Sequence, residues 1–167
     1  LAVQGGTKIT KSLDDVILSL NSISSSSLKL VHRIDKNTSG ALIIARNIDS
    51  SRELQFQFRN SKIHKIYWAM VYGRPKENFG VINSPIKKKT VEKNYEKVVI
   101  SSEGQRAQSI YSVVESNDKY SWLLMSPITG KTHQLRVHCS SSGFPIVGDH
   151  KYSSNNFARV RDLLEMD

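Results

Sequence analysis

The sequence predicts an α+β fold, a mixed, largely antiparallel sheet with flanking helices. Three observations carry that prediction. Apolar residues recur at helical spacing in short stretches bounded by capping residues; they alternate in strand fashion over residues 62–73; and the polar turn Ser116-Asn117-Asp118-Lys119 joins two further strand-like runs as hairpin neighbours. With 167 residues and 38% hydrophobic content the chain can bury the core of one domain, and residues 1–167 are read as a single domain. Its longest apolar runs, Ala41–Ala45 and Trp68–Val71, fall far short of the roughly 20 residues a membrane helix needs, so no membrane partner is expected.

Residues 12–20, SLDDVILSL, begin with the capping residue Ser12, carry acids in the first turn, and place Leu13, Val16, Ile17 and Leu20 on one helical face. The low-complexity stretch NSISSSS, residues 21–27, reads as a polar surface loop. Leu28–Val31 reads as a strand, and Ala41–Ala45 as a second, fully buried one. Between them lies LVHRIDKNTSG, in which His32, Arg33 and Asp35 are costly to bury unless paired. A loop held at both ends by core strands is a useful mount for chemistry.

Ser50 with Glu53 forms a candidate capping box ahead of Leu54 and Phe58, which predicts a second helix. KIHKIYWAMVYG, residues 62–73, then alternates: Ile66, Trp68, Met70 and Tyr72 form a bulky face, Ala69 and Val71 a small one, with Tyr67 its lone large member. Residues 87–97, KKKTVEKNYEK, form a lysine-rich exposed segment. Gln108–Glu115 and Tyr120–Met125 are the hairpin strands, with Val113, Val114, Trp122 and Leu124 as core candidates. Finally, Thr132 is placed to cap a short helix running through Ser140, with Leu135 and Cys139 inward, before Pro145–Asp149 makes an extended piece and a turn.

Charge narrows the function. A formal net charge of +9 and a pI near 9.7 favour polyanionic partners, nucleic acid first. His133 and His138 sit five apart, about 140° around a helix, and cannot share an ion; no HExxH or paired-cysteine motif occurs, so no metal is expected. Gly5-Gly6-Thr7-Lys8 lacks phosphate-loop spacing, Ser140–Gly143 is no nucleophile elbow, and Cys139 reads as a small inward residue. The remaining chemistry is a carboxylate on a loop, Asp35, and a guanidinium on a helix, Arg136, both embedded in apolar sequence. Such a pair serves equally as a structural ion pair or as a catalytic carboxylate with its orienting cation.

The motifs HRIDKNTSGALIIA (32–45), KIYWAMVYG (65–73) and TGKTHQLRVHCSSSGFPIVGDHKY (129–152) resemble, in order and spacing, those of the RluA-type pseudouridine synthases. The resemblance implies a pseudouridine synthase fold with an RNA-binding cleft, and isomerisation of uridine to pseudouridine in ribosomal or transfer RNA without a cofactor. Asp35 matches the family's catalytic aspartate, Arg136 the arginine that pairs with it, and Tyr67 the tyrosine that packs on the target base. Arg33 matches the arginine that enters the RNA stack where the base leaves; His32, Thr38, Lys131 and His133 fall within the same motifs and are expected to contact RNA, as are Lys87, Lys88 and Lys89.

Ile34 stands where the family usually has Leu, and Lys131 where it usually has Arg. The family's N-terminal Lys-Pro pair and the strand after its GDxxYG motif are not evident, so the domain is expected to be trimmed at one or both ends. The remaining expectations are a monomer, in the cytoplasm if bacterial or the mitochondrial matrix if eukaryotic. The rival expectation is a non-catalytic RNA-binding or RNA-chaperone protein on the same fold.

Overall fold

A computed structural model describes residues 2–3, 11–24, 27–92 and 95–153, and the structural statements that follow concern these. Its contacts divide the chain into two compact units, Leu1–Ile63 and His64–Asp167. The motif at residues 5–8, residues 93–94 and the stretch after residue 153 lie outside the described residues.

In the first unit, α1 (Leu13–Ser24) starts where Ser12 and Asp15 satisfy one another. The Asp15 carboxylate accepts from the Ser12 N–H and hydroxyl, both at 2.7 Å, and the Ser12 Oγ accepts from the Asp15 N–H at 3.3 Å. The helix runs four residues into the predicted loop, to Ser24, because the Asn21 side chain holds the Leu28 backbone through two hydrogen bonds and turns the chain locally. β1 (Lys29–Leu30) pairs antiparallel with β2 (Ile44–Ala45). The buried strand expected at Ala41–Ala45 shrinks to these last two residues, and only Ala45 is buried. The Ile43 N–H donates to the His32 ring instead of a strand ladder, so the apolar run is mostly loop. α2 (Ile48–Arg59) begins on a capping box made by Asn47 and Ser50 rather than Ser50 and Glu53, with Ser51, Leu54 and Phe58 turned inward.

The second unit is built on a four-stranded antiparallel sheet in the order β3-β8-β7-β4, from β3 (Tyr67–Tyr72), β4 (Phe79–Asn83), β7 (Gln108–Ser116) and β8 (Tyr120–Pro127). A separate ribbon pairs β5 (Ile86–Glu92) with β6 (Tyr95–Ile100). α3 (Gln134–Ser141) contributes to two cores. Leu135 and Cys139 pack with Ala69, Val71, Leu123, Met125 and Phe144, while Val137 joins Ile86, Val98, Ala107 and Tyr152. The chain then returns beside β3, where the Tyr72 N–H donates to Pro145 O and the Val147 N–H to Met70 O, both at 2.9 Å. Gly104 closes the turn before β7 against the backbone of Ile86, where an added Cβ would sit 2.6 Å from a carbonyl carbon.

Alternation divides β3 into two apolar faces, and the small one, Ala69 and Val71, is the core face, while Ile66, Trp68 and Met70 of the bulky face are exposed. On β8 the expected parity is reversed: Leu123 and Met125 are buried, whereas Trp122 is 45% exposed and Leu124 only half-buried. Both faces of that strand are apolar, so alternation alone does not choose between them, and a register shift between Val113 and Glu115 moves Val114 outward as well.

His138 is fully buried on α3. Its Nε2 donates to Ser84 O at 3.0 Å, and its Nδ1 lies 2.9 Å from the Ser109 hydroxyl, which can donate to the neutral ring. Burial holds its pKa below the usual 6.5, with the Ser84 bond opposing. The unfolded chain therefore takes up a proton that the folded ring refuses, and this contribution, complete above about pH 6.5, is lost as pH falls toward the folded value. Urea midpoints are expected to drop between pH 7.5 and 5 and to drop less in His138→Gln; equal slopes would remove His138 as the source.

Candidate functional site

The loop of residues 31–43 is closed at its base by the β1–β2 pair and braced from within by His32. The imidazole Nε2 accepts the Ile43 N–H at 2.8 Å, and the ring stacks on Phe58 of α2 at 4.5 Å and 25°. His32 thus ties both limbs of the loop to the helix, a structural job that its place in an RNA-contacting motif does not announce. Asp35 is half-buried, and its backbone carbonyl accepts the Thr38 N–H at 2.9 Å in a tight turn. Arg33 is exposed, Thr38 half-buried, and Gly40, at φ 141°, takes a backbone conformation that side chains resist. His32, Arg33, Asp35 and Thr38 therefore share one braced loop of the first unit.

Tyr67, Lys131, His133 and Arg136 belong to the second unit. Tyr67 begins β3 and packs half-buried against the core, the bulky exception on the small face. The predicted cap at Thr132 is absent: α3 starts after His133, which adopts a left-handed φ of 54° without a side-chain cap. The buried Gln134 side chain instead secures the loop that precedes the helix. Its Oε1 accepts from the Lys131 N–H at 3.1 Å and the Thr129 hydroxyl at 2.6 Å, and its Nε2 donates to Gln108 O and the Ser109 Oγ, both at 2.9 Å. The loop carrying Lys131 is thereby fastened to β7. Gly130 leaves space beside it for the Lys65 ammonium, whose pKa burial pulls below the usual lysine value.

Arg136 makes a side-on fork with Asp149, Nε to Oδ2 and Nη2 to Oδ1, both at 2.8 Å. The side chains are 18% and 5% exposed. Burial alone would raise the Asp149 pKa, but the Arg136 hydrogen bonds and charge, with the amides of Lys151 and Tyr152, outweigh it and hold the carboxyl below its usual value. Asp149, which the sequence places only in a turn, is the residue that the geometry adds beside Arg136. The usable signal was Arg136 itself, a guanidinium in an apolar helix that demands a carboxylate, with Asp149 the nearest one downstream.

Lys87, Lys88 and Lys89 are exposed on β5. Lys87 pairs with Glu103 at 2.9 Å and Lys88 with Glu96 at 3.5 Å, while Lys89 stands directly opposite Lys97 on β6. Like charges facing one another across a ribbon repel, and a bound anion relieves the repulsion. Among the described residues no group of three or more His, Cys, Asp or Glu side chains is placed to hold a metal ion, and no helix is long and apolar enough to cross a membrane. Cys139 is an inert core thiol, pushed by burial to a pKa of about 12.

Residues 2–141 match the family model described as RNA pseudouridylate synthase. The ribosomal large subunit pseudouridine synthase C of Rickettsia conorii is 41% identical over 155 residues, covering 92% of this chain and 51% of that protein. Its namesake in Vibrio parahaemolyticus is 36% identical over 140 residues, covering 84% and 44%. Among solved structures, human RNA pseudouridylate synthase domain containing 4 superposes with a TM-score of 0.75 at 33% identity, covering 96% of this chain and 64% of that one. The chain spans about half the length of the curated relatives it matches.

Proposed function

Because the chain belongs to the RNA pseudouridylate synthase family, we propose that it isomerises particular uridines of ribosomal RNA to pseudouridine, with Asp35 as the catalytic carboxylate. The observation that carries the reading is the braced loop of residues 31–43, which mounts a half-buried carboxylate within the motif the family uses for its catalytic aspartate. Its relatives' names point to the large ribosomal subunit; transfer RNA is the alternative substrate.

In the reaction the N1–C1′ bond breaks, the base turns, and a C5–C1′ bond forms. The C5 proton leaves to solvent and N1 ends protonated, so the isomerisation is redox-neutral. Asp35 attacks or assists at the uridine, Tyr67 packs on the detached base, and Arg136 supplies the guanidinium of the pocket. The target must first leave its stack, at a cost of a few kcal/mol. Phosphate contacts from the basic surface offset that cost, and Arg33, exposed on the loop, fills the vacated space in the RNA cleft. His32, Thr38, Lys131 and His133 are the further proposed RNA contacts. The protein is proposed to act as a monomer, in the cytoplasm of a bacterium or the matrix of a mitochondrion.

Tritium release tests the reading, since tritium placed at uridine C5 passes to water only when carbon replaces nitrogen at C1′. Ribosomal RNA is expected to release it and the Asp35→Asn variant to release none; silence of the unaltered chain on both ribosomal and transfer RNA would overturn the proposal. The ribbon has its own test. Lys87 and Lys88 already spend charge on Glu103 and Glu96, so Lys89 should carry most of the phosphate affinity. Lys89→Gln is expected to lower the slope of log K against log salt by about 0.7–0.9, one phosphate's worth. An unchanged slope, with Lys87 and Lys88 also replaced, would make the segment an ordinary solvated surface.

A further inference from the structure

Asp149 and Tyr152 surround Arg136 in two different directions. Asp149 grips the guanidinium edge through Nε and Nη2, which fixes its orientation in the plane. The ring of Tyr152 lies 4.9 Å from the Arg136 Cζ, which fixes its tilt. Tyr152 is itself pinned at three points. Its hydroxyl accepts from the Val98 N–H of β6 at 3.2 Å and meets His133 Nδ1 at 2.6 Å, and its carbonyl accepts from the Ser140 hydroxyl at 2.6 Å. Its amide returns to the Asp149 carboxylate at 3.3 Å, as does that of Lys151 at 3.0 Å. Lys97, opposite Lys89 on the ribbon, also places its ammonium over the Tyr152 ring, at 5.4 Å.

We propose that the turn Asp149–Tyr152 is a bracket of two positioning residues that presents the Arg136 guanidinium in one orientation and ties it to the lysine ribbon. The proposal rests on Arg136 acting in the pocket, as argued above. A carboxylate that served stability alone could meet the arginine in any geometry. Here the side-on fork and the ring over the cation hold the guanidinium from two directions and leave it no freedom to swing, which is the condition for a group that must meet a transient charge without reorganising.

The test compares Tyr152→Phe, Tyr152→Leu and Asp149→Asn in the full chain, with two readouts. Tritium release per folded molecule gives kcat and KM for RNA; the ¹H–¹⁵N signal of the Arg136 Nε–H gives the state of the guanidinium without RNA. Tyr152→Phe keeps the ring and should retain kcat within about 3-fold, whereas Tyr152→Leu and Asp149→Asn should lose 10-fold or more at unchanged KM and broaden or abolish the Nε–H signal. A purely structural bracket would lower Tm in all three while leaving kcat per folded molecule and the signal intact, and that result would overturn the proposal. Equal losses in the Phe and Leu variants would also overturn it, by assigning the effect to the hydroxyl. If the unaltered chain proves inactive, the catalytic reading fails on its own, and a persistent Nε–H signal in Tyr152→Leu and Asp149→Asn still refutes the bracket.

Discussion

Replacing Asp35 by asparagine is expected to abolish pseudouridine formation, by about 10⁴-fold or more, while leaving RNA affinity within a small factor of the original. The magnitude is that of removing a group that reacts with the substrate rather than one that merely binds it. Folding should survive, because the turn bond at this position is made by the Asp35 backbone carbonyl to the Thr38 N–H, and asparagine keeps that carbonyl. Binding should survive because the substitution removes a negative charge near RNA phosphates and leaves Arg33 and the ribbon untouched. Single-turnover tritium release checks the first expectation, and salt-titrated RNA binding the second. Full activity in Asp35→Asn would take the residue out of the reaction. Lost binding together with a lowered Tm would instead assign it a structural role.

Arg136→Leu is expected to cost about 3 kcal/mol at neutral pH, the usual consequence of stranding one partner of a buried ion pair, and to abolish activity as well. Its pH dependence is the more telling result. In the unaltered protein the Asp149 pKa is depressed, so its contribution is complete above the unfolded carboxylate value near 4 and is lost as pH falls through the folded value. Without the guanidinium, burial raises that pKa, opposed only by the two amides of Lys151 and Tyr152. The carboxyl is then best tolerated when protonated, so the stability gap between parent and variant should be small near pH 3 and widen toward pH 6. A gap independent of pH would mean that Arg136 stabilises through its packed methylenes alone.

Where local chemistry decides structure, the sequence reveals it. The Ser12 cap, the two-faced alternation of β3, and the inward Leu135 and Cys139 of α3 follow from capping and periodicity. Where a nonlocal partner decides, it does not. Ala41–Ile43 leave the strand because the His32 ring, eleven residues away from Ile43, takes the hydrogen bond the ladder would have used. The loop ahead of α3 depends on Gln134 reaching β7 rather than on a cap at Thr132, and Val114 turns outward at a bulge in β7 that no alternation pattern records.

The candidate site divides in the same way. Asp35, Tyr67 and Arg136 emerge from motifs whose residue types are costly or out of place in their surroundings. Asp149 is signalled only indirectly, by the guanidinium of Arg136 that needs a carboxylate, and Tyr152 emerges only when the chain is folded, since a tyrosine carries no such cost in sequence. The lysine run was legible as charge, yet its pairing with Glu96 and Glu103 is a property of the ribbon.

The most direct measurement is a pseudouridine-specific chemical map of total RNA incubated with the chain and, in parallel, with Asp35→Asn. New pseudouridines in ribosomal RNA, made by the unaltered chain and absent with the variant, are the expected result and would identify the substrate at the same time. No new site with either protein, under conditions where both bind RNA in a salt-sensitive way, would contradict the account and leave an RNA-binding protein on a synthase fold.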